Sequence, residues 1–250
     1  MAETVRYTGD GSELFWRERV ENLHTGAQLI VPDTHTAFII RDGVATLPLA
    51  SGKHDIFPSA GLFRSRPDDG TAVDLAFVSR VAHARFLWGT PAPVRVTDRQ
   101  TRVPVSLGLN GEIELSVKDP RTFFDSFVSA NTKYDAEILK TRVVSRIMTV
   151  VEPALADVVS RTQASFAEFD GARPALADEL GKRAAELLNR ELGLCVDVFT
   201  VAGTIIPDDD IAAVRAKREE LGIGKKQCPF CDAYMDECAR FCKHCGARLD

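Results

Sequence analysis

Over the first half of the chain, short apolar runs are punctuated by glycine, proline and aspartate, the pattern of β-strands joined by tight turns. Residues 28–31 end at Pro32, and residues 36–40 run into Arg41-Asp42-Gly43. Asp-Gly between apolar runs predicts a hairpin, with residues 44–49 as the return strand. Residues 52–57 read as another short strand. Pro67-Asp-Asp-Gly70 marks a turn before residues 72–79, and residues 83–88 form a strand stopped by Gly89-Thr-Pro-Ala-Pro93. Residues 94–97 continue the β region. Alternation at Val103, Val105, Leu107 and Leu109, then at Ile113, Leu115 and Val117, predicts one buried face, and Asn110-Gly111 predicts a bulge or a turn between the two halves.

The period then changes from two to 3.6. Asp119 and Pro120 are suited to the N-cap and first position of a helix that carries Phe123, Phe124, Phe127 and Val128 on one face. Leu139, Val143, Ile147 and Val151 recur every four residues, and Leu155, Val158 and Val159 carry that face past Pro153, where a kink or restart is expected. A third helix begins near Arg173-Pro174, turns Leu176, Leu180, Ala184, Leu187 and Leu188 inward, and stops at Gly193. Residues 195–202 return to strand, Asp208-Asp-Asp210 opens a last helix reaching about Leu221, and Gly222-Ile-Gly224-Lys-Lys is a linker. Strands first, then helices, then a returning strand predict an α+β fold, a mostly antiparallel sheet followed by packed helices, with a small appended module.

Composition narrows the function classes. The 250 residues are 45% hydrophobic and 27% charged, within the soluble globular range, and the net charge of −5 argues against a general nucleic-acid binder. No N-terminal signal pattern and no apolar run of about 18 residues occurs, so a cytoplasmic protein is expected, with any membrane contact peripheral.

The tail supplies the chemistry. Cys228-Pro-Phe-Cys231 and Cys242-Lys-His-Cys245 form a C-x2-C-x10-C-x2-C pattern, the spacing of a zinc ribbon. Each C-x2-C turn aims two thiolates at one point, so Cys228, Cys231, Cys242 and Cys245 are predicted to hold one structural Zn²⁺ per chain. Clustered thiols at metal spacing also fit a reducing compartment. Gly246 follows the second pair where positive φ is common; Asp232 takes the matching place and tolerates that conformation. Cys238 reads as a bystander, His244 as pointing outward, and at least two of Phe230, Tyr234 and Phe241 as the ribbon's small core. Lys225, Lys226, Arg240, Lys243 and Arg248 could offset the charge of the metal–thiolate group. Interleaved with Asp232, Asp236, Glu237 and Asp250, they make a poor phosphate surface, which favours protein docking.

Elsewhere the residues point to structure rather than chemistry. Cys195 sits in an apolar strand and reads as an inert thiol. Asp208–Asp210 suit a helix N-terminus through the dipole and capping. The five histidines are scattered, and no Gly-x-Ser-x-Gly, Walker loop or dinucleotide fingerprint occurs, so no enzyme is expected. Phe15-Trp16 is a candidate for partner or lipid contact, with a structural role at the sheet as the plainer reading.

Several segments together resemble one prokaryotic branch of the stomatin–prohibitin–flotillin (SPFH, Band 7) superfamily. They are Glu13-Leu-Phe-Trp16, Asn22-Leu-His-Thr-Gly26-Ala-Gln-Leu-Ile-Val31, Ala37-Phe-Ile-Ile-Arg-Asp-Gly43, Gly52-Lys-His-Asp-Ile-Phe57, Phe86-Leu-Trp-Gly-Thr90 and residues 108–120. The terminal Cys-Pro-x-Cys … Phe-Cys-x-x-Cys-Gly ribbon belongs to the same resemblance. It implies an N-terminal segment (1–26), an SPFH-like domain (27–207), a helix and linker (208–224) and a zinc ribbon (225–250). It also implies a non-enzymatic, homo-oligomeric scaffold or adaptor at the cytoplasmic face of the membrane, working beside membrane proteins or membrane-coat proteins in envelope stress. The N-terminal membrane hairpin and long coiled coil of better-known relatives do not occur in this sequence, which weakens direct anchoring. The alternatives are a zinc-ribbon nucleic-acid regulator and an enzyme with an unrecognised site.

Overall fold

A computed structural model of the chain describes residues 3–23, 26–56, 71–161, 165–166 and 173–249. Its strands in chain order are β1 (Thr4–Arg6), β2 (Phe15–Leu23), β3 (Gln28–Val31), β4 (His35–Arg41), β5 (Val44–Ala45), β6 (Gly52–Asp55), β7 (Thr71–Ser79), β8 (His83–Gly89), β9 (Val94–Thr97) and β10 (Pro104–Val117). Helices α1 (Pro120–Ser126), α2 (Ala136–Arg161) and α3 (Arg173–Leu192) follow, then β11 (Leu194–Phe199), β12 (Gly203–Ile205), α4 (Asp208–Glu220), β13 (Lys225–Gln227) and β14 (Tyr234–Asp236). The predicted turn at 67–70 lies outside the described residues.

Among the described residues, three sheets make up the body. β1, β3 and β6 form a small one, with β1 parallel to β3 and β6 antiparallel to it. An antiparallel sheet in the order β2-β7-β4-β5 is the middle layer. It is apolar on both faces. Phe38, Ala76 and Val78 join the main core with the helices, while Ala37, Ile39, Val73, Leu75 and Phe77 pack with Leu29 and Val31 of the small sheet. Burial on both faces accounts for the unbroken run of buried residues from His35 to Ile40.

The third sheet is centred on β10, which pairs antiparallel with β8 and β9 along one edge and with β11 and β12 along the other. Val105, Leu107, Leu109, Ile113, Leu115 and Val117 face inward and meet the buried sides of α2 and α3. Asn110-Gly111 does not interrupt this strand; β10 is continuous through all 14 residues. Gly111 keeps the inward phase, and it is glycine because a Cβ there would lie 1.8 Å from the Thr200 carbonyl oxygen. The glycine thus marks a close backbone crossing where a bulge or turn was predicted. The return strand expected over 44–49 is also shorter. Only Val44–Ala45 pairs as a strand, and pairing resumes at an isolated Ala37–Leu49 bridge beyond Pro48, which has no N–H to donate.

The helices follow their sequence signals closely. Asp119 caps α1, accepting from the backbone N–H groups of Arg121 and Thr122, with Pro120 at the helix start. Phe123, Phe124 and Phe127 drive that helix into the core, where Phe124 stacks on Phe38 with centroids 4.2 Å apart and Phe15 packs edge-on against Phe123 and Phe127. Full burial of such a ring contributes about 1.5–3 kcal/mol. α2 runs through Pro153 as one helix, so of the kink or restart expected there the restart does not occur. α3 ends at Gly193 (φ 68°), whose carbonyl accepts from Lys118 and Asp119 N–H and so ties the end of α3 to the start of α1.

Candidate metal centre and binding surfaces

The tail repeats one backbone turn. In the first copy the Cys228 N–H donates to the Ala233 carbonyl (2.9 Å) and the Asp232 N–H to the Cys228 carbonyl (3.0 Å). In the second the Cys242 N–H donates to Ala247 (2.7 Å) and the Gly246 N–H to Cys242 (2.9 Å). Gln227 pairs with Tyr234, and Phe241 with Arg248, at the matching flanks. The turn needs positive φ at its fifth residue: Gly246 has 74° and Asp232 has 56°, the strained role the sequence assigned to it.

These turns bring four sulfurs together. The Sγ atoms of Cys228, Cys231, Cys242 and Cys245 all lie within 4.8 Å of one another, a group able to hold a metal ion. Cys228 and Cys245 are 3.7 Å apart and Cys231 and Cys242 are 3.6 Å apart. Metal–thiolate bonds of about 2.3 Å in a tetrahedron separate sulfurs by about 3.8 Å, so the spacing fits the donor set. The Phe230 backbone N–H points at the buried Cys228 sulfur, and those of His244 and Cys245 point at the buried Cys242 sulfur, where they favour the ionised form.

Electrostatics within the quartet point the same way. Burial pushes the Cys242 thiol up, but the N–H groups of Cys245 and His244 outweigh it and bring it to about 6. Cys231 moves oppositely. The Ala233 N–H favours its thiolate, yet burial and the hydrogen-bonded thiols of Cys245, Cys242 and Cys228 push it up to about 12. A thiolate at Cys242 therefore suppresses ionisation of Cys231 and Cys245, and a cation held among the sulfurs would relieve that suppression.

Around this centre the aromatic side chains are not where they were expected. Phe230, Tyr234 and Phe241 are 73%, 67% and 60% exposed, and none forms the core. The core consists of Cys228, Met235, Cys242 and Leu249, edged by Ala233, Ala239 and Ala247. Alternation along β14 places Met235 inside and its neighbours Tyr234 and Asp236 outside. Cys238 is exposed and outside the quartet, and His244 is exposed as predicted.

The remaining candidates resolve as structural. Asp208, Asp209 and Asp210 occupy the first turn of α4, where the dipole favours them, but the N-cap is Pro207 and none caps. Asp210 instead accepts from the Ser106 N–H at 2.8 Å, pinning α4 to β10. Cys195 is half-buried in β11, its thiol pushed up by burial and by Asp197. Phe15 is fully buried and Trp16 packs against the smaller core, both within β2.

Two surfaces escaped the sequence reading. The open face of the third sheet carries the Arg85–Glu112 pair and His83, whose Nδ1 lies 3.4 Å from Glu114 and 3.3 Å from Asp197. Among these, Leu87, Val198 and Ile205 are exposed apolar residues. Strand parity could have found Leu87, because it shares the outward phase of His83 and Arg85. The second is a shallow groove of about 630 Å³ along α2, lined by Glu137, Ile138, Thr141, Arg142, Ser145 and Arg146. Among the described residues no helix is long and apolar enough to cross a membrane.

Layered sheets with helices packed on the main core are followed by a small tail whose four thiols could hold a metal ion. A sequence profile of the SPFH domain–Band 7 family matches residues 68–223, and the chain belongs to that family. Its members are in general membrane-associated, non-enzymatic scaffolds that oligomerise. Comparison with curated proteins returns no match to this chain.

Proposed function

We propose that this protein is a non-enzymatic scaffold or adaptor of SPFH type, built as a body in which an N-terminal segment (1–26) and an SPFH-like domain (27–207) share sheets, a helix and linker (208–224) whose helix packs on that body, and a zinc ribbon (225–250). In this reading Cys228, Cys231, Cys242 and Cys245 hold one Zn²⁺ whose role is structural. The body self-associates and meets membrane proteins or membrane-coat proteins at the cytoplasmic face, and the ribbon is a docking module. Family membership supports the scaffold role. The observation that carries the docking role is the exposure of all three tail aromatics on a module whose core excludes them. Exposed aromatics on a rigid support are the residues from which protein-binding hot spots are made.

The test is co-purification from native membranes with the full chain and with a chain ending at residue 224. The reading expects partner proteins with the full chain and their loss with the truncation, while both chains keep the body's self-association. Absence of the full chain from every membrane fraction contradicts the membrane role. Salt-sensitive DNA or RNA binding abolished by Cys228→Ser would replace it with a nucleic-acid regulator.

A further inference from the structure

Over the whole tail the charges alternate in sign, with Lys225 and Lys226 first and Asp250 last, but within residues 228–249 they fall into two blocks along the chain. Residues 228–238 carry Asp232, Asp236 and Glu237 and no base, whereas residues 239–249 carry Arg240, Lys243 and Arg248 and no acid. All six of these side chains belong to exposed residues. Among the described residues, no ion pair joins Asp232, Asp236 or Glu237 to Arg240 or Lys243, so the two halves do not neutralise each other through them. Lys225, the base opposite Asp236 in the hairpin, is engaged by Glu219 at 3.0 Å.

Each half also exposes aromatic surface beside its charges. The acidic half presents Phe230 and Tyr234, and the basic half presents Phe241. Arginine and lysine are attracted to aromatic faces as well as to carboxylates, so the basic half is chemically suited to both components of the acidic half. A module carrying both halves is its own complement. From this we infer that the ribbon pairs with the ribbon of a second copy of this chain, acidic half against basic half.

Two-fold symmetry makes that contact reciprocal, because seating one acidic half on the partner's basic half seats the converse pair as well. A module this small buries less than a standard interface, so the pairing is weak and strongly salt-dependent by itself. It becomes effective where the bodies hold copies close together, which raises the local concentration of ribbons. The inference rests on the proposed zinc-held ribbon and adds the identity of one occupant of its surface.

The experiment uses the full chain with p-benzoylphenylalanine replacing Phe230, mixed with an equal amount of isotopically heavy chain and irradiated at low salt. Cross-links between light and heavy chains that map to residues 239–249 are expected, falling at least tenfold in 1 M salt. Asp236→Lys with Glu237→Lys, or Arg240→Glu with Lys243→Glu, should each lower the inter-copy yield at least tenfold when the variant is alone. Mixing the two double variants should restore it, since each then meets its opposite charge. Metal analysis of every variant reads ribbon integrity. Zinc at one per chain with cross-links confined to single chains, or with no restoration on mixing, overturns the pairing alone. Absence of zinc from the unmodified chain instead overturns the ribbon reading beneath it.

Discussion

The body and the tail are stabilised by different physics. Among its described residues the body buries aromatic and aliphatic side chains from three sheets and four α-helices in two clusters, and Phe15, Phe38, Phe77, Phe123 and Phe127 are among its largest fully buried side chains. In the tail, two of the four buried core residues, Cys228 and Cys242, belong to the thiol quartet. Its other core members are one methionine and one leucine edged by alanines, too little apolar surface to offset the ordering of about 25 residues. Apolar burial suffices for the first region, while the second, in the reading proposed above, depends on a metal held by its thiol quartet.

Replacing a quartet thiol should break the comparison most sharply. With Cys242→Ser the tail is expected to lose bound metal and its folded state, a loss on the scale of structural zinc binding, about 10–16 kcal/mol. The body's urea midpoint should stay unchanged. Metal analysis alongside the urea curve reads both, and a shifted midpoint would show that the two regions fold as one unit. Within the body, Phe123→Ala should cost about 3–5 kcal/mol in urea unfolding while leaving metal content at its wild-type value.

Smaller effects test how the body's layers are joined. Gly111→Ala drives a Cβ into the Thr200 carbonyl, and Gly193→Ala places one 2.4 Å from the Asp119 carbonyl at positive φ. Each should destabilise the body by about 1–3 kcal/mol, read by urea denaturation.

Asp98 gives the body a pH signature. Burial raises its pKa, but N–H donors from Thr101 and Phe166 and hydroxyls from Thr101 and Ser165 outweigh that and hold it below the usual carboxylate range. A carboxylate depressed in the folded state stabilises above its unfolded pKa of about 3.9, and that contribution fades as pH falls from about 5 through the folded value. Asp98→Asn should lower neutral-pH stability by about 1–3 kcal/mol and flatten this acid limb. The smallest effect is reserved for Cys238→Ser, which should leave metal stoichiometry and both unfolding transitions unchanged, since that thiol lies outside the quartet.

Legibility in the sequence divides along the same line. The helix that begins at Asp119-Pro120, the stop at Gly193 and the alternation along β10 were all readable because each depends on local geometry. At Asn110-Gly111 the dipeptide rule misleads, because Leu109, Gly111 and Ile113 share one phase, which a bulge would have broken. What makes position 111 a glycine is the Thr200 carbonyl, far along the chain beyond three helices, and no local pattern encodes that crossing. In the tail the reverse held. Cysteine spacing announces the thiol cluster, whereas hydrophobicity alone does not place the aromatic side chains, because it does not say that a module is too thin to cover a ring.

Amide hydrogen exchange on the full chain, before and after metal chelation under reducing conditions, tests the division most directly. The account predicts that protection across residues 225–249 collapses on chelation while β10 and α3 keep theirs. Unchanged protection in the tail, or its loss across the body as well, would contradict a metal-held module on a self-sufficient body.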